Sequence, residues 1–133
     1  MPEKITIKVA EAIQELKDRA VLPTDAAARK LIPLCTGLLD YFPAALAEVA
    51  KVSLQGNIQH NGPDSPLFWA RGKSMDQSDT ILRHLAERGK IDTDGMRHSA
   101  KVAWRALALL QLELEEAGAP LARGAKLPEE PKK

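Results

Sequence analysis

The chain is poor in the features that mark specialised protein classes. Among its 133 residues there is one cysteine, Cys35, so no intrachain disulfide forms. Its place in the apolar stretch 32–39 predicts a buried, inert thiol. Aromatic residues make up only 4%. Neither charge sign dominates: 19 Lys and Arg face 18 Asp and Glu, leaving a net charge of +1. That balance gives no bulk attraction to nucleic acid or to an anionic membrane. No apolar run approaches the roughly 20 residues of a membrane span, and the N-terminus lacks a signal-peptide pattern. Together with the lone thiol, these absences predict a cytoplasmic protein with no nucleic-acid or membrane partner. There is no Walker A loop, no GxSxG elbow, no HExxH pair and no CxxC pair. No segment alternates as a strand, and no internal repeat is visible.

What remains is helical. A 44% hydrophobic content supports a core, and the length fits one domain over residues 1–119 followed by a flexible tail over 120–133. Charged residues and prolines make up the end of that tail after Leu127, which predicts disorder. Residues 5–20 form an expected first helix, with Val9, Ile13 and Leu16 on one side. Thr24 or Asp25 caps a second that runs to about Leu39, with a kink or early stop at Pro33. Pro43 suits the first turn of a third that reaches about Gln59. Ser74 caps a fourth over 75–88, ended by Gly89, and Thr93 or Asp94 starts a fifth that ends near Gly118. The predicted fold is all-α: a compact bundle of four to five helices with a long ordered loop and a disordered C-terminal tail.

The loop LQGNIQHNGPDSPLFWARGKS, residues 54–74, is the most informative segment. It brings His60, Asn61 and Trp69 together with Arg71 and Lys73. Hydrogen-bonding groups, an aromatic plane and cations suit a nucleotide, which offers a sugar, a flat base and phosphates. A plainer reading has Trp69 anchoring the loop and the cations solvated.

Helical periodicity adds a second group. Phe42, Leu46, Val49, Ala50 and Ser53 share one side of the third helix, while Glu48, Lys51, Gln55 and Gln59 fall on the other. The fourth helix is expected to bury Met75, Ile81, Leu82 and Leu85, with His84 at the flank and Asp79 able to pair with Arg83 four residues on. The last helix is apolar nearly all round, yet His98, Lys101 and Arg105 lie on the stripe of Leu109 and Leu112. Buried charges need partners, so this stripe points to a cleft lined by acidic groups or holding an anion. Snorkelling at the bundle end is the alternative. Candidate acids are Glu48, Asp76, Asp79, Glu87, Asp92 and Asp94; candidate imidazoles are His60, His84 and His98.

The strings LIPLCTGLLDYFPAALAEVAKVS, GNIQHN, WARGKS, ILRHLAERG and DTDGMRHSAKVAWRALALLQLELE together give a resemblance over residues 29–118. They resemble a phage-associated family, the dATP/dGTP diphosphohydrolase N-terminal domains, similar to the MazG-like all-α nucleotide pyrophosphohydrolases. The resemblance implies an enzyme that uses Mg²⁺ or Mn²⁺ to cleave a purine dNTP to dNMP and pyrophosphate. MazG-like enzymes carry ExxE on one helix and ExxD on the next. Here Glu48 has Ala45 and Lys51 three residues away, and the second motif reads His98-Ser99-Ala100-Lys101. Either the site is a variant or hydrolysis has been lost.

The site expected on these grounds assigns Glu48, Asp79 and Asp94 to metal, and Glu48, His84 and His98 to catalysis. Arg71, Lys73, Arg83, Lys101 and Arg105 would hold phosphates, and His60, Asn61 and Trp69 the nucleoside. A non-catalytic nucleotide-binding module and a helical assembly protein remain as alternatives. The apolar last helix predicts a homo-oligomer, a dimer or a tetramer, under all three readings.

Overall fold

The computed structural model describes residues 21–125. The helix expected over residues 5–20 and the disorder expected after Leu127 lie outside them. Among the described residues there are four α-helices and no strand: α1 (Ala26–Arg29), α2 (Pro43–Asn61), α3 (Gln77–Ala86) and α4 (His98–Glu116). The fold is all-α. No helix among the described residues is long and apolar enough to cross a membrane.

Each element follows from local chemistry. Asp25 caps α1, its carboxylate accepting from the Ala28 amide at 2.9 Å. The helix expected to run on to Leu39 stops at Arg29. A π-helical turn, Cys35–Leu39, replaces its second half, because Pro33 removes a donor and its ring blocks the preceding turn. Gly37 is needed there, since a Cβ at that position would meet Pro33 Cγ at 2.9 Å. Cys35 is exposed rather than buried: with the helix broken, the π-helical turn touches α2 but leaves the apolar run 31–39 largely exposed.

Pro43 opens α2 at its first turn, and Gly62, at φ 91°, closes it. The long loop that follows is anchored by Asn57, which is buried. Its side-chain amide donates to Ser65 O at 3.1 Å, and its Oδ1 accepts from Asn61 Nδ2 at 2.8 Å and from the Phe68 amide at 3.5 Å. A buried amide with its hydrogen bonds made costs little, and this one fixes the loop's path. Residues 119–125 pack back onto the same loop, where the Trp69 amide donates to Gly124 O at 2.7 Å.

Helix α4 is the centre. Its buried apolar residues are the small Ala100 and Ala108, which let α3 and α2 approach; α4 packs against both. Trp104 Nε1 ties it to α2 by donating to Ser53 Oγ at 2.7 Å. On α2, Leu46, Val49 and Ser53 are half-buried as expected, but Phe42 and Ala50 are exposed.

Helix α3 begins at Gln77, with Asp76 at its cap position rather than Ser74. It also turns a different face inward from the expected one. Gln77 and Thr80 are buried and Ile81 is half-buried, while Met75 is 69% and Leu82 63% exposed, and Leu85 is exposed as well. Polar bonding sets the rotation. Gln77 donates to Ser74 O at 3.1 Å and accepts from Arg105 at 3.2 Å. The apolar count of the helix lost to hydrogen bonds that the loop and α4 supply.

Helix α4 itself starts at His98, not at Thr93 or Asp94. Those residues form a tight turn instead, closed by an isolated bridge between Ile91 and Arg97. Asp92 Oδ1 accepts from the Thr93 amide at 2.7 Å and Asp94 Oδ1 from the Met96 amide at 3.0 Å. Gly95 takes φ 83°, a conformation that side-chain-bearing residues rarely adopt. Asp and Gly prefer such local turns to a helix start.

Candidate functional site

A cavity of about 540 Å³ opens between α2, the loop, α3 and α4, within the size range of small-molecule sites. Its wall includes Lys73, Arg83, Lys101 and Arg105, with Asp94 as its single carboxylate among the described residues. His60, Asn61, Phe68, Trp69, His84 and Trp104 also line it. The chain as a whole is nearly neutral, so this cationic surplus is local.

The cations differ in how they are held. Arg105 donates to Ser74 Oγ at 2.7 Å and to Gln77 Oε1 at 3.2 Å; both partners are neutral, and Asp76 acts on it only through its field. Burial lowers its pKa from the ordinary guanidinium value. Arg83 donates to Thr80 Oγ1 at 2.9 Å and reaches Asp76 at 3.4 Å; it does not pair with Asp79 as the four-residue spacing suggested. Lys73 forms no ion pair among the described residues. Lys101 is tied to Asp92 Oδ2 and Asp94 Oδ2, each at 2.7 Å. Burial alone would lower its pKa, but the two carboxylates outweigh it and raise the value. The hydrogen bond from Lys101 holds Asp92 down at about 2. Burial of Asp94 works the other way, and the Lys101 bond still leaves its pKa lowered.

Arg71, expected on the phosphates, is not on the cavity wall. It forms a two-pronged ion pair with Glu115, with Arg71 Nη2 to Glu115 Oε2 at 2.8 Å. Its guanidinium also lies 4.3 Å from the centre of the Trp69 ring. Trp69 meets Trp104 edge-on at 5.6 Å and 78°. One face of Trp69 is therefore covered by Arg71, and the indole is part of the wall more than a free stacking platform. His60 is exposed at the rim, and Asn61 is engaged by Asn57.

The imidazoles meet at one corner. His84 Nδ1 lies 2.8 Å from His98 Nδ1, and His98 Nδ1 is 3.9 Å from Asp92 Oδ2. Burial, followed by the positive charge of Lys101, lowers the His84 pKa below the usual imidazole value. His84 is therefore neutral at neutral pH. The acids expected to hold a metal do not gather. Glu48 is ion-paired with Lys51 at 2.7 Å and is not on the cavity wall. Asp79 is exposed on α3, and Asp94 is bound by Lys101. Among the described residues the group with metal-ligand spacing is His84, Asp92 and His98.

Asp92 was among the candidate acids but was given no role, and Trp104 and Gln77 were not named at all. Asp92 had a signal: the D-T-D-G turn ends three residues before His98. Trp104 and Gln77 had none beyond a helical position.

Residues 24–120 match the family model described as dATP/dGTP diphosphohydrolase, N-terminal. No curated protein and no solved structure matches the chain.

Proposed function

The chain belongs to the dATP/dGTP diphosphohydrolase N-terminal family, and from that premise we propose that its cavity binds a purine deoxynucleoside triphosphate and cleaves it to the monophosphate and pyrophosphate. The observation that carries the reading is the concentration of Lys73, Arg83, Lys101 and Arg105 beside an aromatic wall in a nearly neutral chain. A triphosphate needs cations at one end and apolar, hydrogen-bonding surface at the other.

In the proposed reaction, water attacks the α-phosphorus, a new P–O bond forms, and the α–β bridging bond breaks. Pyrophosphate leaves with the electron pair. Lys73, Arg83 and Arg105 balance the charge that builds on the phosphate oxygens. Lys101, held by two aspartates, adds a fixed cation at the corner where His84 and His98 meet. Those imidazoles are placed to activate the water, either as the base that takes its proton or as ligands of an ion that would lower its pKa. Trp104, Phe68 and the uncovered side of Trp69 take the nucleoside, with His60 and Asn61 at the rim.

The Mg²⁺ or Mn²⁺ expected from the resemblance fits this corner unequally. Mg²⁺ takes oxygen ligands in strict octahedral geometry. The carboxylates here, Asp92 and Asp94, are both engaged by Lys101, and the remaining donors are nitrogens. The same scarcity of carboxylates favours a second reading, a module that binds nucleotide without turnover.

Incubation of the purified chain with each dNTP and NTP, in Mg²⁺ and in Mn²⁺, tests the proposal by chromatography of the products. Monophosphate and pyrophosphate from a purine dNTP are expected. A nucleotide-induced rise in melting temperature with no product supports the binding module instead. Neither binding nor product overturns both readings.

A further inference from the structure

The corner formed by α3, the 92–97 turn and α4 carries a donor set that belongs to no carboxylate site. His84 comes from the last turn of α3, His98 opens α4, and Asp92 opens the turn between them. The turn's own bonds, Asp92 amide to Met96 O at 2.8 Å and His98 amide to Lys90 O at 3.2 Å, fix the spacing. One oxygen and two ring nitrogens, one from each of the three residues, lie within 4.8 Å of one another.

Two Nδ1 atoms facing each other at 2.8 Å form a single N–H···N bond when no ion is present. Bonds of about 2.0–2.1 Å to one ion at the tetrahedral angle would set the nitrogens roughly 3.3 Å apart. The rings need to part by only about half an ångström, a small rotation about each side chain.

We propose that His84, Asp92 and His98 form a binding site for a first-row transition-metal ion at the edge of the cavity. Imidazole nitrogen with one carboxylate suits Zn²⁺, Co²⁺, Fe²⁺ or Mn²⁺ and discriminates against Mg²⁺. Three protein ligands leave a position open, and His84 lies on the cavity wall, so that position adjoins the expected triphosphate. Lys101 Nζ sits at 2.7 Å on the same Asp92 oxygen and competes with the ion. It keeps a second partner, Asp94, so displacement leaves its charge paired. The site deepens the triphosphate reading and rests on it for the ion's role, not for its binding.

The test is a titration of the intact chain with Co²⁺ and, separately, Zn²⁺, without nucleotide, read by visible absorption and by calorimetry. One ion per chain is expected, with Co²⁺ bands typical of nitrogen ligation and Mg²⁺ unable to compete at millimolar excess. His98→Ala and Asp92→Asn should each weaken Zn²⁺ binding by at least the roughly 10–100-fold that loss of even a supporting group costs. Glu113→Gln, on the exposed side of α4, should leave it unchanged. Far-UV circular dichroism of each variant separates lost ligation from lost folding, and Asp92→Asn stands in if His98→Ala unfolds. Absence of binding, or equal binding by wild type and both ligand variants, overturns the site. Absent binding with intact Mg²⁺-dependent dNTP cleavage overturns this site alone. Zn²⁺ binding with no cleavage under any metal upholds the site and overturns the hydrolase reading.

Discussion

Arg71 and Glu115 lie 44 residues apart in sequence and form the ion pair that closes the long loop onto α4. Gln111 and the Ala122 amide also donate to Glu115 Oε2, at 2.7 and 3.2 Å. One carboxylate therefore holds the loop, the helix and the segment that packs back after it. Arg71, in turn, covers Trp69. A residue expected to touch phosphate instead sets the shape of the cavity wall.

Glu115→Gln is expected to lower stability by about 2 kcal/mol at neutral pH, the cost of losing a charged hydrogen bond while its partner stays half-buried. The Arg71 bond is the main cause that holds the Glu115 pKa at about 2, below the ordinary 4.5. Between those values the unfolded chain binds a proton that the folded chain does not, so stability falls as pH drops through this window. Urea midpoints measured from neutral to acid pH should show that fall in the wild type and a shallower one in Glu115→Gln. Parallel curves would remove the assignment.

Arg105→Met is expected to weaken dNTP binding about tenfold or more, since its hydrogen-bond partners among the described residues are neutral. Glu48→Gln, whose carboxylate is tied to Lys51 away from the cavity, should leave both binding and turnover within about twofold. Calorimetric affinities and steady-state rates decide the matter. Loss of turnover in Glu48→Gln would move the chemistry to the outer face of α2.

His84 gives a pH signature of its own. Its folded pKa lies below 6.5 because burial disfavours the charged ring. As pH falls through 6.5, the unfolded chain takes up a proton that the folded chain resists, and stability declines. The contribution is complete above that range and lost once the folded form also protonates. His84→Gln should flatten the curve in the mildly acidic range. An unchanged slope would show that the decline comes from other groups.

Leu107, Leu110 and Leu114 share one side of α4 and remain about half exposed. Exposed apolar stripes of this kind mark interaction surfaces. We expect the chain to form a homo-oligomer through this face, a dimer first, and Leu110→Glu to shift it to monomer with helicity retained. Size-exclusion chromatography with light scattering reads the result directly. A wild-type monomer at tens of micromolar would rule the interface out.

The amino-acid sequence by itself determined the helical class, the third helix from Pro43 and the existence of an anchored loop before α3. These are local matters: proline at a first turn, glycine after a helix and the absence of alternation act within a few residues. It also marked Arg71, Lys73, Arg83, Lys101 and Arg105 as a group, of which all but Arg71 line the cavity. Tertiary structure alone decided the rest. The inward face of α3 was set by Gln77, bonded to Arg105 and Ser74, and not by the apolar count. Arg71 went to Glu115 because a partner 44 residues away outcompeted a solvated position. The start of α4 moved to His98 because the 92–97 turn could satisfy its own aspartates. The meeting of His84, Asp92 and His98 depends on that turn and on the packing of α3 against α4. Periodicity describes one helix at a time, and it carries no information on which faces of two helices will find hydrogen-bond partners in each other.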